Sequence, residues 1–176
     1  ICNDKHSKLG YLIGSNIDHS WAIVAETEEY AIGKITLKGT EPVTIYLCYV
    51  SPRDQRNPLI LQNVLEALEQ QPTETTTVIT GDFNSPAGTE RRRILNEWLR
   101  VRQMLIHNTA PTHQRGSTQP SCLDLYIARA GLINSTSTKD LENSHHKIVF
   151  AKLCLSPAKR QAKIYTKWRR LRNPKN

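Results

Sequence analysis

Thr76-Thr77-Val78-Ile79-Thr80-Gly81-Asp82-Phe83-Asn84 is an apolar run closed by a glycine, a carboxylate and a carboxamide. In an extended backbone successive side chains alternate faces, so Asp82 and Asn84 point one way and Phe83 points back toward a core. The stretch therefore predicts a buried strand with two polar groups at its mouth. Such a pair suits water or metal chemistry on a phosphate. Gly, Asp and Asn are also ordinary turn residues, and on these positions alone a simple strand-to-turn transition reads equally well.

On the N-terminal side, strands are predicted at Leu9–Ile13, Trp21–Ala25, Ala31–Leu37 and Val43–Val50, the last two joined as a hairpin through 38–42. Asn57-Pro58 opens an amphipathic segment with Leu61, Val64, Leu65 and Leu68 at helical spacing, ending near Gln71 before Pro72. On the C-terminal side, Thr89–Leu99 predicts a second helix with Ile94, Leu95, Trp98 and Leu99 as its apolar side. A polar loop over Asn108–Pro120 follows, then strands at Cys122–Ala128 and Lys147–Leu155 flanking a loop over Ser135–Ser144. Hairpins separated by helices argue a mixed α/β fold with helices packed on sheets.

The 176 residues and 38% apolar content suit one domain with a core. Four cysteines, at 2, 48, 122 and 154, lack paired metal spacing, and the last three lie in apolar runs, which predicts buried free thiols. No stretch has the length of a membrane span and no signal-peptide pattern opens the chain. The expectation is a soluble intracellular protein without membrane partners, the nucleus being one candidate location. Net charge is +8, and all of the excess lies in 157–176, which hold eight Lys and Arg and no acid. Residues 1–156 thus read as the folded domain and 157–176 as a basic tail or linker. With Tyr165 and Trp168 among its cations, the tail reads either as a nucleic-acid contact or as a solvated extension. Arg91, Arg92 and Arg93, with Arg100 and Arg102, would form a broad basic face on the second helix, either solvated or binding substrate.

Three more segments could serve the Asp82 site. Tyr49 ends a strand just before Pro52, which cannot continue a ladder; its hydroxyl could reach a phosphate or simply sit at the rim. Asp124 is a carboxylate within an apolar strand and needs a cation or donors. His146, at the start of the next apolar run, is its natural partner, because an Asp–His hydrogen bond fixes the imidazole tautomer. The pair could be structural, or it could aim the ring at a phosphoryl oxygen.

Gly81-Asp82-Phe83-Asn84, with Tyr49-Val50-Ser51-Pro52 before it and Pro111-Thr112-His113, Ser121-Cys122-Leu123-Asp124-Leu125 and Ser144-His145-His146 after it, resembles the endonuclease/exonuclease/phosphatase superfamily. The strongest likeness is to the apurinic-type endonuclease domains of non-LTR retrotransposons, in collinear order from about Ala31 to Leu155. The resemblance implies a four-layer α/β sandwich and phosphoester hydrolysis with Mg2+ or Mn2+. It implies that Asp82 activates water, Asn84 holds water and phosphate, Tyr49 touches the phosphate and Asp124 orients His146 toward the phosphoryl oxygens. Thr112 matches a loop residue near the substrate. DNA is the implied partner, with a reverse transcriptase domain downstream in a full-length protein.

The chain departs from the family pattern twice. The early Asn strand and Glu strand, the latter carrying the main metal ligand, are not found, so the chain reads as N-terminally incomplete. His145 stands where the family has Asp in a Ser-Asp-His triplet. A neutral imidazole at that metal position weakens magnesium and suits softer metals. Two unit charges at 4 Å attract by about 4 kcal/mol at moderate dielectric. Losing half of that in the transition state would slow the reaction more than tenfold, at roughly 1.4 kcal/mol per decade. The expectation is a fragment of a metal-dependent DNA endonuclease, weak or inactive as the isolated chain. The alternatives are a non-catalytic nucleic-acid-binding remnant and a phosphomonoesterase of the same superfamily.

Overall fold

The computed structural model describes residue 9 and residues 13–38, 42–52, 58–72, 76–117 and 119–155. Most of the expected Leu9–Ile13 strand, the 39–41 turn and the whole 157–176 tail lie outside these residues. The elements are β1 (His19–Glu26), β2 (Tyr30–Leu37), β3 (Val43–Val50), α1 (Leu59–Glu69), β4 (Thr77–Asp82), α2 (Glu90–Val101), β5 (Met104–Ile106), β6 (Asp124–Arg129), β7 (Ile133–Asp140) and β8 (Lys147–Leu153). β1 to β6 form one sheet in the order β1-β2-β3-β4-β6-β5, and β7 and β8 pair separately. Among the described residues only the β3–β4 pair is parallel. Parallel neighbours need a crossover connection, which α1 supplies.

The helices cover one face of the large sheet. Ile60, Leu61, Val64, Leu65 and Leu68 of α1 recur at helical spacing and pack with Tyr46, Cys48 and Val50. Each such side chain contributes about 1.5–3 kcal/mol on burial. α2 adds Leu95 and Leu99 to the same core. It starts where Thr89 accepts from the Arg92 amide, and Glu90 in its first turn suits the positive end of the helix dipole.

On the opposite face Val78, Ala128, Leu132 and Ile133 form a second core with Ala151 and Leu153 of β8. Among the described residues the layers are therefore helices, large sheet and small sheet. Between the sheets lies an apolar groove of about 430 Å3, with Leu47, Val78 and Tyr126 on one wall and Ala151 and Leu153 on the other. No helix of the described residues is long and apolar enough to cross a membrane.

Two expectations are corrected, and one short strand was not expected. The loop over Ser135–Ser144 is largely strand β7, whose Ser135, Ser137 and Lys139 face outward, so no apolar alternation marks it. β5, three residues long, is too short to carry a period. Of the described thiols, Cys48 is buried, Cys122 half-buried and Cys154 exposed, because Cys154 follows the last residue of β8.

Candidate active site

Parallel pairing brings the C-terminal ends of β3 and β4 together, and antiparallel pairing sets the start of β6 beside them. Tyr49 lies opposite Asp82, and Asp82 opposite Asp124. Cross-strand partners point to the same face, so these three side chains form one row. Beneath the row, Leu47, Thr80 and Tyr126 line the inter-sheet groove. One step along, Cys48 and Leu125 face the helix-side core. Phe83 is fully buried there, and its amide donates to the Leu123 carbonyl.

Gly81 makes the closeness of β3 and β4 possible. Its φ is +137°, and a Cβ there would lie 1.9 Å from the Cys48 carbonyl oxygen.

Beyond Asp82 the backbone turns through Asn84 at φ +44°. The Asn84 amide donates to Asp82 Oδ1 at 3.0 Å, and Asn84 Nδ2 donates to the Val50 carbonyl at 2.8 Å. Asn84 is thereby buried and ties the end of β4 to the end of β3. Burial and the nearby Asp124 carboxylate push the Asp82 carboxyl above its usual value, against the opposing effects of the Asn84 amide and His146.

His146 approaches from the entry to β8, with its Nδ1 3.0 Å from Asp124 Oδ2. Asp82, Asp124 and His146 each offer a ligand atom, and these atoms lie within 4.8 Å of one another. Two carboxylates and an imidazole in that reach fit a single divalent cation. His145, expected at the metal position, is not in this group; it is exposed and its carbonyl accepts from the Gln114 amide. The ring of His113 meets that of His146 edge-on at 4.7 Å. Burial and the neighbouring His146 hold His113 below the usual histidine range.

Thr112 explains how two separate sheets hold one corner. Its Oγ1 accepts from the amides of Leu123 and Asp124 at 3.0 and 2.9 Å, and its carbonyl accepts from the Lys147 amide at 2.7 Å. Thr112 is fully buried, so it faces backbone and not a substrate. Thr112→Val keeps the shape but strands two amides, and is expected to cost about 1–3 kcal/mol. Urea unfolding measures this; a change near zero would show that the hydroxyl does not tie the corner together.

The expected basic face on α2 is not formed. Arg91 is 1% exposed and donates to the Ser51 and Asn84 carbonyls, while Arg92 donates to those of Ser85 and Cys122. The first turn of α2 thus clasps the ends of β3 and β4 and the approach to β6. Arg93 and Arg100 pair with Glu90 and Glu97, and Arg102 pairs with Glu69. Asn108 was not singled out from the sequence, yet its Nδ2 donates to the Asp124 carbonyl and its Oδ1 accepts from the Tyr126 amide. A lone Asn at a strand end carries no signal of this; His113 had one, its place beside Thr112.

The fold is that of a mixed α/β protein of the endonuclease/exonuclease/phosphatase type. Residues 43–150 match the family described as Endonuclease-reverse transcriptase, and the chain belongs to that family. Among solved structures it is similar to the endonuclease domain of TRAS1, a telomere-specific non-LTR retrotransposon, at 18% identity and TM-score 0.62 over 77% of this chain and 67% of that one. A functionally unknown conserved protein from Enterococcus faecalis gives 15% identity and TM-score 0.54 over 78% of this chain and 65% of that one. An endonuclease/exonuclease/phosphatase family protein from Leptotrichia buccalis gives 15% identity and TM-score 0.51 over 80% and 62%. At these identities the likeness is one of fold, and the chain spans about two thirds of each structure's length. No curated protein matches the chain.

Proposed function

We propose that the chain is the endonuclease portion of a retroelement protein and hydrolyses DNA phosphodiester bonds at the corner of Asp82, Asn84, Asp124 and His146. The observation that carries this reading is the register: Tyr49, Asp82 and Asp124 share one row, with His146 3.0 Å from the last. Asp82, whose affinity for a proton is raised by burial, orients and deprotonates the attacking water. Asn84 holds that carboxylate through its amide. With Nδ1 committed to Asp124, His146 presents Nε2 to a phosphoryl oxygen, where a donor aimed at developing charge counts most. A divalent cation held by the Asp82 and Asp124 carboxylates would neutralise charge on the phosphate. The family's description supports a nucleic-acid substrate and a reverse transcriptase on the same polypeptide. A phosphomonoesterase would need free cations for a terminal phosphate, and the Arg91–Arg93 guanidiniums are taken up by carbonyls and by Glu90.

The test is incubation with supercoiled plasmid and magnesium or manganese. Slow, metal-dependent conversion to open circle is expected. Failure to nick with either metal at excess protein, alongside salt-sensitive DNA binding, would overturn the catalytic reading in favour of a binding remnant.

A further inference from the structure

Asp82 stands at the open end of two ladders. Its partner on β3 is Tyr49 and its partner on β6 is Asp124, each the last pair of its ladder. On the β6 side one more backbone bond follows, from the Phe83 amide to the Leu123 carbonyl, and then Asn84 turns the chain away at φ +44°. Ladder ends are the places that open most easily. Here the end also carries two carboxylates on one face, whose repulsion pushes β4 and β6 apart.

Two consecutive arginines in the first turn of α2 close these ends. Arg91 Nη1 donates to the Ser51 and Asn84 carbonyls at 3.1 and 3.4 Å, just past the Tyr49–Asp82 pair. Arg92 Nε and Nη2 donate to the Ser85 and Cys122 carbonyls, both at 2.7 Å, just past the Asp82–Asp124 pair. Donors on one edge of a planar guanidinium are fixed relative to each other, so the fork sets the distance between the two carbonyls; the point charge of a lysine cannot. The fork is firmly mounted. Thr89 accepts from the Arg92 amide, and Leu95 and Leu99 seat α2 in the core.

We infer that Arg92, with Arg91 beside it, is a positioning residue for the corner: its guanidinium is an extra rung beyond the last backbone bond of the β4–β6 ladder and holds Asp82 and Asp124 at their working separation. The inference deepens the proposed function and rests on it for the corner's being a reaction site. The rung itself is tested without nucleic acid, so the two readings fail separately.

The experiment is native-state hydrogen exchange on the whole chain, read by NMR, for the wild type, Arg92→Gln, Arg92→Lys and Leu99→Ala. In Arg92→Gln the Phe83 amide is expected to lose protection by about tenfold or more beyond any loss at Ile79 and Ile127, which pair farther back in the same ladder. Arg92→Lys should recover only part of that protection. Leu99→Ala loosens the same helix from the core without touching the fork, and should lower all three amides in step. Circular dichroism establishes that each variant is folded; should Arg92→Gln not fold, Arg92→Lys carries the comparison. No loss at Phe83, or equal losses at the three amides in the Arg92 variants, overturns the inference, because Arg92 would then stabilise the fold at large and not the end of the ladder. Plasmid nicking gives the second readout. Arg92→Gln should lower kcat by about tenfold or more with KM within about threefold, the signature of groups held out of place in the transition state. An unchanged kcat also overturns the inference, whereas a wild type that does not nick overturns the nuclease reading and leaves the exchange result to decide this one.

Discussion

Gly81→Ala is expected to destabilise the protein by roughly 4 kcal/mol, enough to leave much of it unfolded at physiological temperature. Two effects add. At φ +137° an L side chain is strained whatever space it finds. Here it finds none: the new Cβ would meet the Cys48 carbonyl oxygen at 1.9 Å, its carbon at 2.8 Å and its nitrogen at 2.9 Å. Those are backbone atoms of the β3–β4 ladder, where Cys48 pairs with Gly81 one step before its end. They cannot rotate away as a flexible side chain would. Relief requires separating the two strands just where Tyr49 and Asp82 share a row, so any folded remnant should also lose the corner. Denaturant unfolding decides it. A loss within about 1 kcal/mol would mean that the strands can part cheaply, and the argument from close approach would fail.

Asp82→Asn is expected to reduce plasmid nicking by about 10²–10⁴-fold, the range for removing a general base. The same substitution should raise thermal stability at neutral pH. Burial and Asp124 lift the Asp82 carboxyl above its unfolded value. A carboxyl raised in this way binds its proton more tightly when folded. Its charge therefore weakens the folded state above the folded value and has no such effect well below the unfolded value, ~3.9. Asparagine removes the charge, yet its Oδ1 can still accept from the Asn84 amide. The stability difference between variant and wild type should grow as pH rises through the carboxylate range and disappear at low pH. Thermal melts across that range test the sign. A variant that nicks like the wild type would remove Asp82 from the chemistry, and one less stable at pH 7 than at low pH, relative to wild type, would remove the electrostatic account.

The two effects point in opposite directions for one reason. Asp82, Asp124 and His146 are held close by ladders and by the Thr112 bridge, not by their own attraction alone. Two carboxylates at directly paired positions repel, and the ladders and the Thr112 bridge hold them there against that repulsion.

Much of this arrangement was legible before any tertiary contact. The apolar run Val78-Ile79, closed by Thr80-Gly81-Asp82, announces a strand with a polar end, and a carboxylate among Leu123, Leu125 and Ile127 demands a partner. Helical spacing in α1 and α2 is equally plain, because period and burial coincide there. Elsewhere the code is silent or misleading. β7 has polar residues on its outer face and threonines on the inner one, so nothing in its pattern separates strand from loop. The run Arg91-Arg92-Arg93 looks like a charged surface, and two of its three guanidiniums instead hold carbonyls at strand ends.

By itself, then, the sequence determined the α/β class, the motif order and the candidate groups for a site, because these depend on local periodicity and on the chemistry of single side chains. Only the tertiary structure decided that Tyr49, Asp82 and Asp124 stand in one row, that Thr112 and not a ligand occupies the joint between the sheets, and that His146 and His113 share the corner. Those facts depend on strand register and on hydrogen bonds between segments far apart in the chain, which no local pattern encodes.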